Sequence, residues 1–158
     1  MPRDAETWGV HFAFFGAACG FFAPIACIAA WPVYCSTGLL VGLGTGYVVG
    51  RALHTGPRGW LTVPVGLVVG AMWGAFVGCV AGVAQAPYVG TLGGWMPVYG
   101  LVYGGTTGAV TLGALIWPYS RLVEQGRDAT RLLIGVALAS PIFPTLMILA
   151  EDMERYIW

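Results

Sequence analysis

"VPVGLVVGAMWGAFVGCVAG", residues 63–82, places glycine at 66, 70, 74, 78 and 82, with mostly Val, Leu, Ala, Met, Trp and Phe between. Glycine inside a helix costs about 1 kcal/mol relative to alanine, so a regular row of it calls for a compensating gain. The stretch has the length and apolarity of a membrane span, for which ~20 residues cross the ~30 Å hydrocarbon layer. In lipid no hydrophobic force draws helices together, and association depends on close packing of backbones. Residues four apart lie on one ridge of a helix. Gly66 to Gly82 therefore forms a bare ridge about 24 Å long at 1.5 Å per residue.

Neighbouring segments carry rows of their own: Gly38, Gly42, Gly46 and Gly50; Gly100, Gly104 and Gly108; and the pair Gly16 and Gly20. The segments holding the first row and the Gly66–Gly82 row are consecutive and hence antiparallel. Facing them off pairs Gly50 with Gly66, Gly46 with Gly70, Gly42 with Gly74 and Gly38 with Gly78, and every pair keeps step. The sequence thus predicts a glycine seam between these two spans.

Composition agrees with a lipid environment. Of 158 residues, 58% are hydrophobic and 9% charged, and mean hydropathy is +0.77. A soluble domain carries about a quarter charged residues. Net charge is zero, lysine is absent and no basic run is dense enough to track phosphates, which argues against a nucleic-acid partner. Cys19, Cys27, Cys35 and Cys79 match no zinc or haem-attachment spacing and read as small buried hydrophobes, with one helix-clipping disulfide as the alternative.

The expected architecture is an all-α polytopic membrane bundle in one domain, with spans near 8–30, 33–50, 60–83, 96–117 and 132–150. Four are glycine-rich and the fifth is kinked by Pro141 and Pro144. The run from Trp8 is too long for a signal-peptide core, and Pro32 marks a tight hairpin between the first two spans. Six of the seven arginines, at 3, 51, 58, 121, 127 and 131, fall on one side, which the charge bias turns toward the cytoplasm or matrix. Tryptophans 8, 31, 60, 95 and 117 sit at span ends, as an interfacial belt would. "WPVY" at 31–34 and "WMPVY" at 95–99 open the second and fourth spans, a faint echo of duplicated hairpins.

One spacing is more specific. Gly44 is followed by Tyr47, Arg58, Thr62, Val69, Gly70 and Gly74. This resembles the signature of the mitochondrial and plastid preprotein and amino-acid transporter family. That signature is a small residue, an aromatic, an Arg, an Asp, a small residue and two glycines at these distances. Gly44, Tyr47, Arg58, Gly70 and Gly74 match; Thr62 replaces the Asp and Val69 the small residue. The resemblance implies four packed spans and a mitochondrial inner-membrane location, with the Arg58 loop toward the intermembrane space. It also implies a role either as an accessory subunit of respiratory complex I or as a channel-forming subunit of a preprotein translocase or solute transporter. The lost Asp and the apolar spans fit the accessory subunit better. Its partners are then other membrane subunits.

Chemistry-bearing groups are few. No Asp, Glu, Lys or Arg lies within the five expected spans, where an ionisable group would flag transport or a proton relay. Thr37, Thr45, Thr106, Thr107, Thr111, Ser140 and Thr145 are the available pore-lining hydroxyls, and hydrogen bonds back to their own helix account for them equally. His11, in "WGVHFAFF", reads as an interfacial histidine, with ligation of a haem or pigment macrocycle as the alternative. No acid, base or nucleophile constellation appears, so neither an enzyme, a cofactor nor a small-molecule substrate is expected. Asp128 is placed to cap the fifth span. Arg121, Arg127 and Arg131 can hold an anionic phospholipid head group such as cardiolipin's.

Overall fold

The computed structural model describes residues 5–22, 31–56 and 59–157, and their side chains except at 31, 92 and 151–157. Among the described residues six α-helices follow one another: α1 Ala5–Phe22, α2 Trp31–His54, α3 Thr62–Gln85, α4 Met96–Glu124, α5 Thr130–Ala139 and α6 Ile142–Ile157. The bundle is all-α, as expected. Four stretches of the described residues are long and apolar enough to cross a membrane: Pro32–His54, Gly59–Tyr88, Gly93–Glu124 and Thr130–Ala150. The chain is accordingly a multi-pass membrane protein. The second half of the expected first span, residues 23–30 with Cys27, lies outside the described residues, as do Arg3 and Arg58.

The glycine rows form two seams, and their partners differ from those expected. Along α1 and α2 the backbones of Gly20, Gly16, Phe12 and Trp8 meet Gly38, Gly42, Gly46 and Gly50 in turn. Along α3 and α4, Gly82, Gly78, Gly74, Gly70 and Gly66 meet Met96, Gly100, Gly104, Gly108 and Leu112. The predicted pairing of the α2 row with the α3 row is therefore wrong. Pairing within each sequential hairpin brings all four rows into contact, which maximises dispersion and Cα–H···O contact. The echo of "WPVY" does not extend to the rows: Gly38 stands four residues after Tyr34, whereas Gly100 directly follows Tyr99.

The two hairpins join through larger side chains. Trp73 Nε1 on α3 donates to Thr45 Oγ1 on α2 at 2.7 Å, and Tyr34 Oη donates to the Gly78 carbonyl at 3.4 Å. Phe12, Phe15, Leu112, Leu115, Ile116 and Tyr119 form the packed centre, onto which α5 lays Leu133 and Ala137.

Several boundaries moved for identifiable reasons. Pro32 makes no turn; it stands in the first turn of α2, where a missing N–H leaves no bond unmade. Pro118 does not end the fourth span, which continues to Glu124. The stop is Gly126, at φ +84°. There Gly126 N–H donates to Val123 O (3.3 Å) and Arg127 N–H to Leu122 O (2.9 Å), a Schellman closure. The fifth span breaks into α5 and α6 at Ser140 and Pro141, as its prolines predict. Trp60, Trp95 and Trp117 are exposed, as a belt requires, but Trp8 is 8% exposed and belongs to the interior; the Trp31 side chain is not among those described. Cys19 and Cys79 are free thiols.

Candidate functional site

The ends of four helices meet on the arginine-rich side. Here α2 finishes at His54, and Gly56 N–H donates to Leu53 O at 3.0 Å to close its last turn. The chain turns through Gly59, at φ +78°, and enters α3 at Thr62, whose buried hydroxyl donates to Gly59 O at 2.7 Å. The extra two turns of α4 beyond Ile116 bring Tyr119, Ser120 and Glu124 to the same level, and α1 supplies Trp8. Between these ends lies a cavity of about 280 Å³, walled by Trp8, His54, Thr62, Ile116, Ser120 and Glu124 together with Leu53 and Val123.

The wall behind it is aromatic. Tyr119, fully buried, stands edge-on to Trp8 (centroids 4.8 Å) and Phe12 (5.2 Å). Its hydroxyl lies 2.9 Å from His11 Nδ1. His54 meets Trp8 edge-on at 5.9 Å. The polar groups of the cavity are therefore held on a rigid base, beside an apolar lining able to take a short hydrocarbon segment.

A second, smaller cavity of about 80 Å³ lies between the hairpins at the level of the glycine seams, with Phe15, Cys19, Trp73, Tyr103 and Thr107 among its walls. Its lining is nearly all apolar. Most hydroxyls of the helices donate backward to their own helix: Thr45 to Val41 O, Thr106 to Val102 O, Thr111 to Thr107 O, Thr145 to Pro141 O and Ser140 to Ala137 O. Thr107 Oγ1 is buried and has no hydrogen-bond partner among the described residues.

The motif residues separate. Gly70 and Gly74 lie in the α3–α4 seam. The Tyr47 ring packs where a side chain on Gly9 would be and lies under the Arg51 guanidinium, 5.8 Å from centroid to Cζ. Gly44 is exposed, with nothing near the position of a Cβ. Arg121 is exposed and stacks over Trp117 at 5.4 Å; Arg127 and Arg131 are exposed beside the α4–α5 turn. Asp128 accepts from Thr130 N–H (2.9 Å) and from Thr130 Oγ1 (2.6 Å), capping the first turn of α5 from one residue before the N-cap position, Ala129. These bonds, the hydroxyl's first, hold its carboxyl below the ordinary value of 3.8. No group of three or more His, Cys, Asp or Glu side chains that could hold a metal occurs among the described residues. No protein-family model, no curated protein and no solved structure matches the chain.

Sequence reasoning missed Tyr119 and the cavity it backs. The signal was present: Leu112, Leu115, Ile116 and Tyr119 follow helical spacing straight across Pro118.

Proposed function

We propose that the chain is a non-catalytic accessory subunit of a large inner-membrane assembly, respiratory complex I in a mitochondrion by the motif it resembles. It joins neighbouring subunits through close helix packing and lipid contacts. The observation that carries this reading is how the small and large residues are distributed. The glycine rows face inward along both seams, while Leu40, Val48, Val68, Met72, Phe76 and Leu101 point outward, each more than 40% exposed. Such a body presents bulky apolar faces for other helices or lipid. Gly44, bare and open on the outer face of α2, suits the close approach of a partner helix. Gly70 and Gly74 at their motif positions, and Tyr47 packed onto α1, further support kinship with the transporter family; Thr62 in place of the Asp favours a scaffolding member over a channel.

Purification in mild detergent tests this. The chain should elute only with larger companions, and mass spectrometry of the co-purifying subunits identifies the host. A stable, monodisperse monomer with solute-transport activity in vesicles would overturn the reading in favour of an autonomous transporter.

A further inference from the structure

The geometry points to the 280 Å³ cavity at the convergence of α1, α2, α3 and α4 as a binding site for a primary ammonium group on an apolar stem, the aminoethyl head of a phospholipid being the source that fits best.

The two hydroxyls in the cavity wall have already donated their protons. Thr62 Oγ1 donates to Gly59 O at 2.7 Å, and Ser120 Oγ donates to Trp117 O at 2.8 Å. Each then offers only lone pairs to a ligand. The nearest backbone donor of the α2 turn, Gly56 N–H, is likewise engaged with Leu53 O. Glu124 adds a carboxylate, an acceptor with no proton to give when ionised. The carboxyl ends of α2 and α4 arrive at the cavity and bring partial negative charge with them. Among the described residues the wall thus presents three acceptor side chains, Thr62, Ser120 and Glu124, beside the Trp8 indole and the His54 imidazole, and those three acceptors favour a ligand rich in N–H donors and positively charged. Ammonium, with three donors, meets both conditions, whereas a quaternary trimethylammonium meets only the second.

The remaining features fit the rest of a zwitterionic lipid. Val65, Ile116 and Val123 supply apolar wall. The amino ends of α1 and α3 reach the same cavity, and Arg51 and Arg121 are exposed at the same end of the bundle, so a phosphate has complementary charge close by. Ammonium seats against Glu124, Thr62 and Ser120, phosphate faces the rim, and acyl chains run down the outside of the bundle. This chemistry is the reverse of an anionic lipid held by arginines alone, and it stands whether or not the chain serves as an accessory subunit.

The test uses the full chain with whatever subunits it keeps in mild detergent. After delipidation, dioleoyl phosphatidylethanolamine, phosphatidylcholine and phosphatidylglycerol are added back and read by native mass spectrometry, with n-hexylammonium chloride as competitor. Phosphatidylethanolamine should be retained over phosphatidylcholine by about tenfold, the factor expected for one hydrogen bond to a charged group. Glu124→Gln should reduce that preference to near unity, and Glu124→Asp should restore part of it. Ser36→Ala, at the opposite end, should leave it unchanged. Circular dichroism verifies that each variant is folded.

Displacement of the lipid by hexylammonium supports the ammonium chemistry with the head alone sufficient. Phosphatidylethanolamine preference without displacement supports the whole lipid as occupant. Glu124-dependent hexylammonium binding without lipid preference supports a soluble amine. Equal retention of the ethanolamine and choline lipids with no hexylammonium binding overturns the proposal, as does a preference for phosphatidylglycerol. A preference unchanged in folded Glu124→Gln overturns it as well.

Discussion

Replacing Gly74 by alanine adds one carbon at the middle of the α3–α4 seam. That carbon would press on the Gly104 carbonyl oxygen, lie 2.8 Å from the Gly104 carbonyl carbon and 3.0 Å from the Gly108 Cα. All three are backbone atoms of a continuous helix, so no side chain can swing aside. Carbon pairs are most stable at ~3.5–4.0 Å, so the helices must part by roughly 1 Å. A gap of that size forfeits a quarter to a half of each dispersion contact, at ~0.1–0.2 kcal/mol per pair of atoms. Because the seam is rigid, the glycine pairs one turn above and below loosen too, and the summed loss is about 2–4 kcal/mol, at the upper end of ordinary overpacking. Gly44→Ala is the control: it is on α2, its Cβ meets open space, and alanine gains up to about 1 kcal/mol in helix propensity. Both variants can be compared by SDS-titrated unfolding in mixed micelles, read by circular dichroism. Equal midpoints for Gly74→Ala and Gly44→Ala would refute the packing account of the seams, and Gly74→Leu should exceed Gly74→Ala in cost.

Two further outcomes are expected. Trp73→Phe deletes the 2.7 Å bond that ties α3 to α2; it should cost about 0.5–1.5 kcal/mol, and in a double-mutant cycle with Thr45→Val the two losses should fall short of additive. Asp128 has its carboxyl held low by Thr130, so its capping contribution is full above the unfolded value near 3.8 and is lost as pH falls through the lower folded value. The stability gap between wild type and Asp128→Asn should therefore be constant near neutrality and close under acid; a gap that widened on acidification would contradict the bond assignment.

The rows of glycine, the spans and the break at Pro141 were legible because each is a local pattern with one physical reading. The choice of seam partners was not. Two registers, α2 with α3 or each row within its own hairpin, keep the glycines in step equally well, and a sequence row says only that some backbone comes close. What separates the registers is global. Hairpin pairing gives Gly16 and Gly20 a backbone to meet and lets Gly100, Gly104 and Gly108 meet their own, so the decision rests on contacts summed over four helices. Inspecting α2 and α3 alone cannot supply it.

The cavity was hidden for a related reason. Its residues come from four helix ends separated by most of the chain, from Trp8 to Glu124, and Pro118 reads as a stop. Yet a proline inside a helix removes one hydrogen bond, whereas the stripe Leu112, Leu115, Ile116 and Tyr119 buries four side chains nearly completely. In lipid the gain from that burial is dispersion contact across the packed centre, summed over many atom pairs of four side chains, and it offsets the cost of about 3 kcal/mol for the proline, so the stripe prevails and α4 continues. Those additional two turns carry Tyr119 under Trp8 and lift Ser120 and Glu124 to the level of Thr62. The same extension that defeats the boundary reading thereby creates a polar recess at this end of a largely apolar scaffold, which is why the position of Gly126, more than that of Pro118, fixes where the chain can hold a ligand.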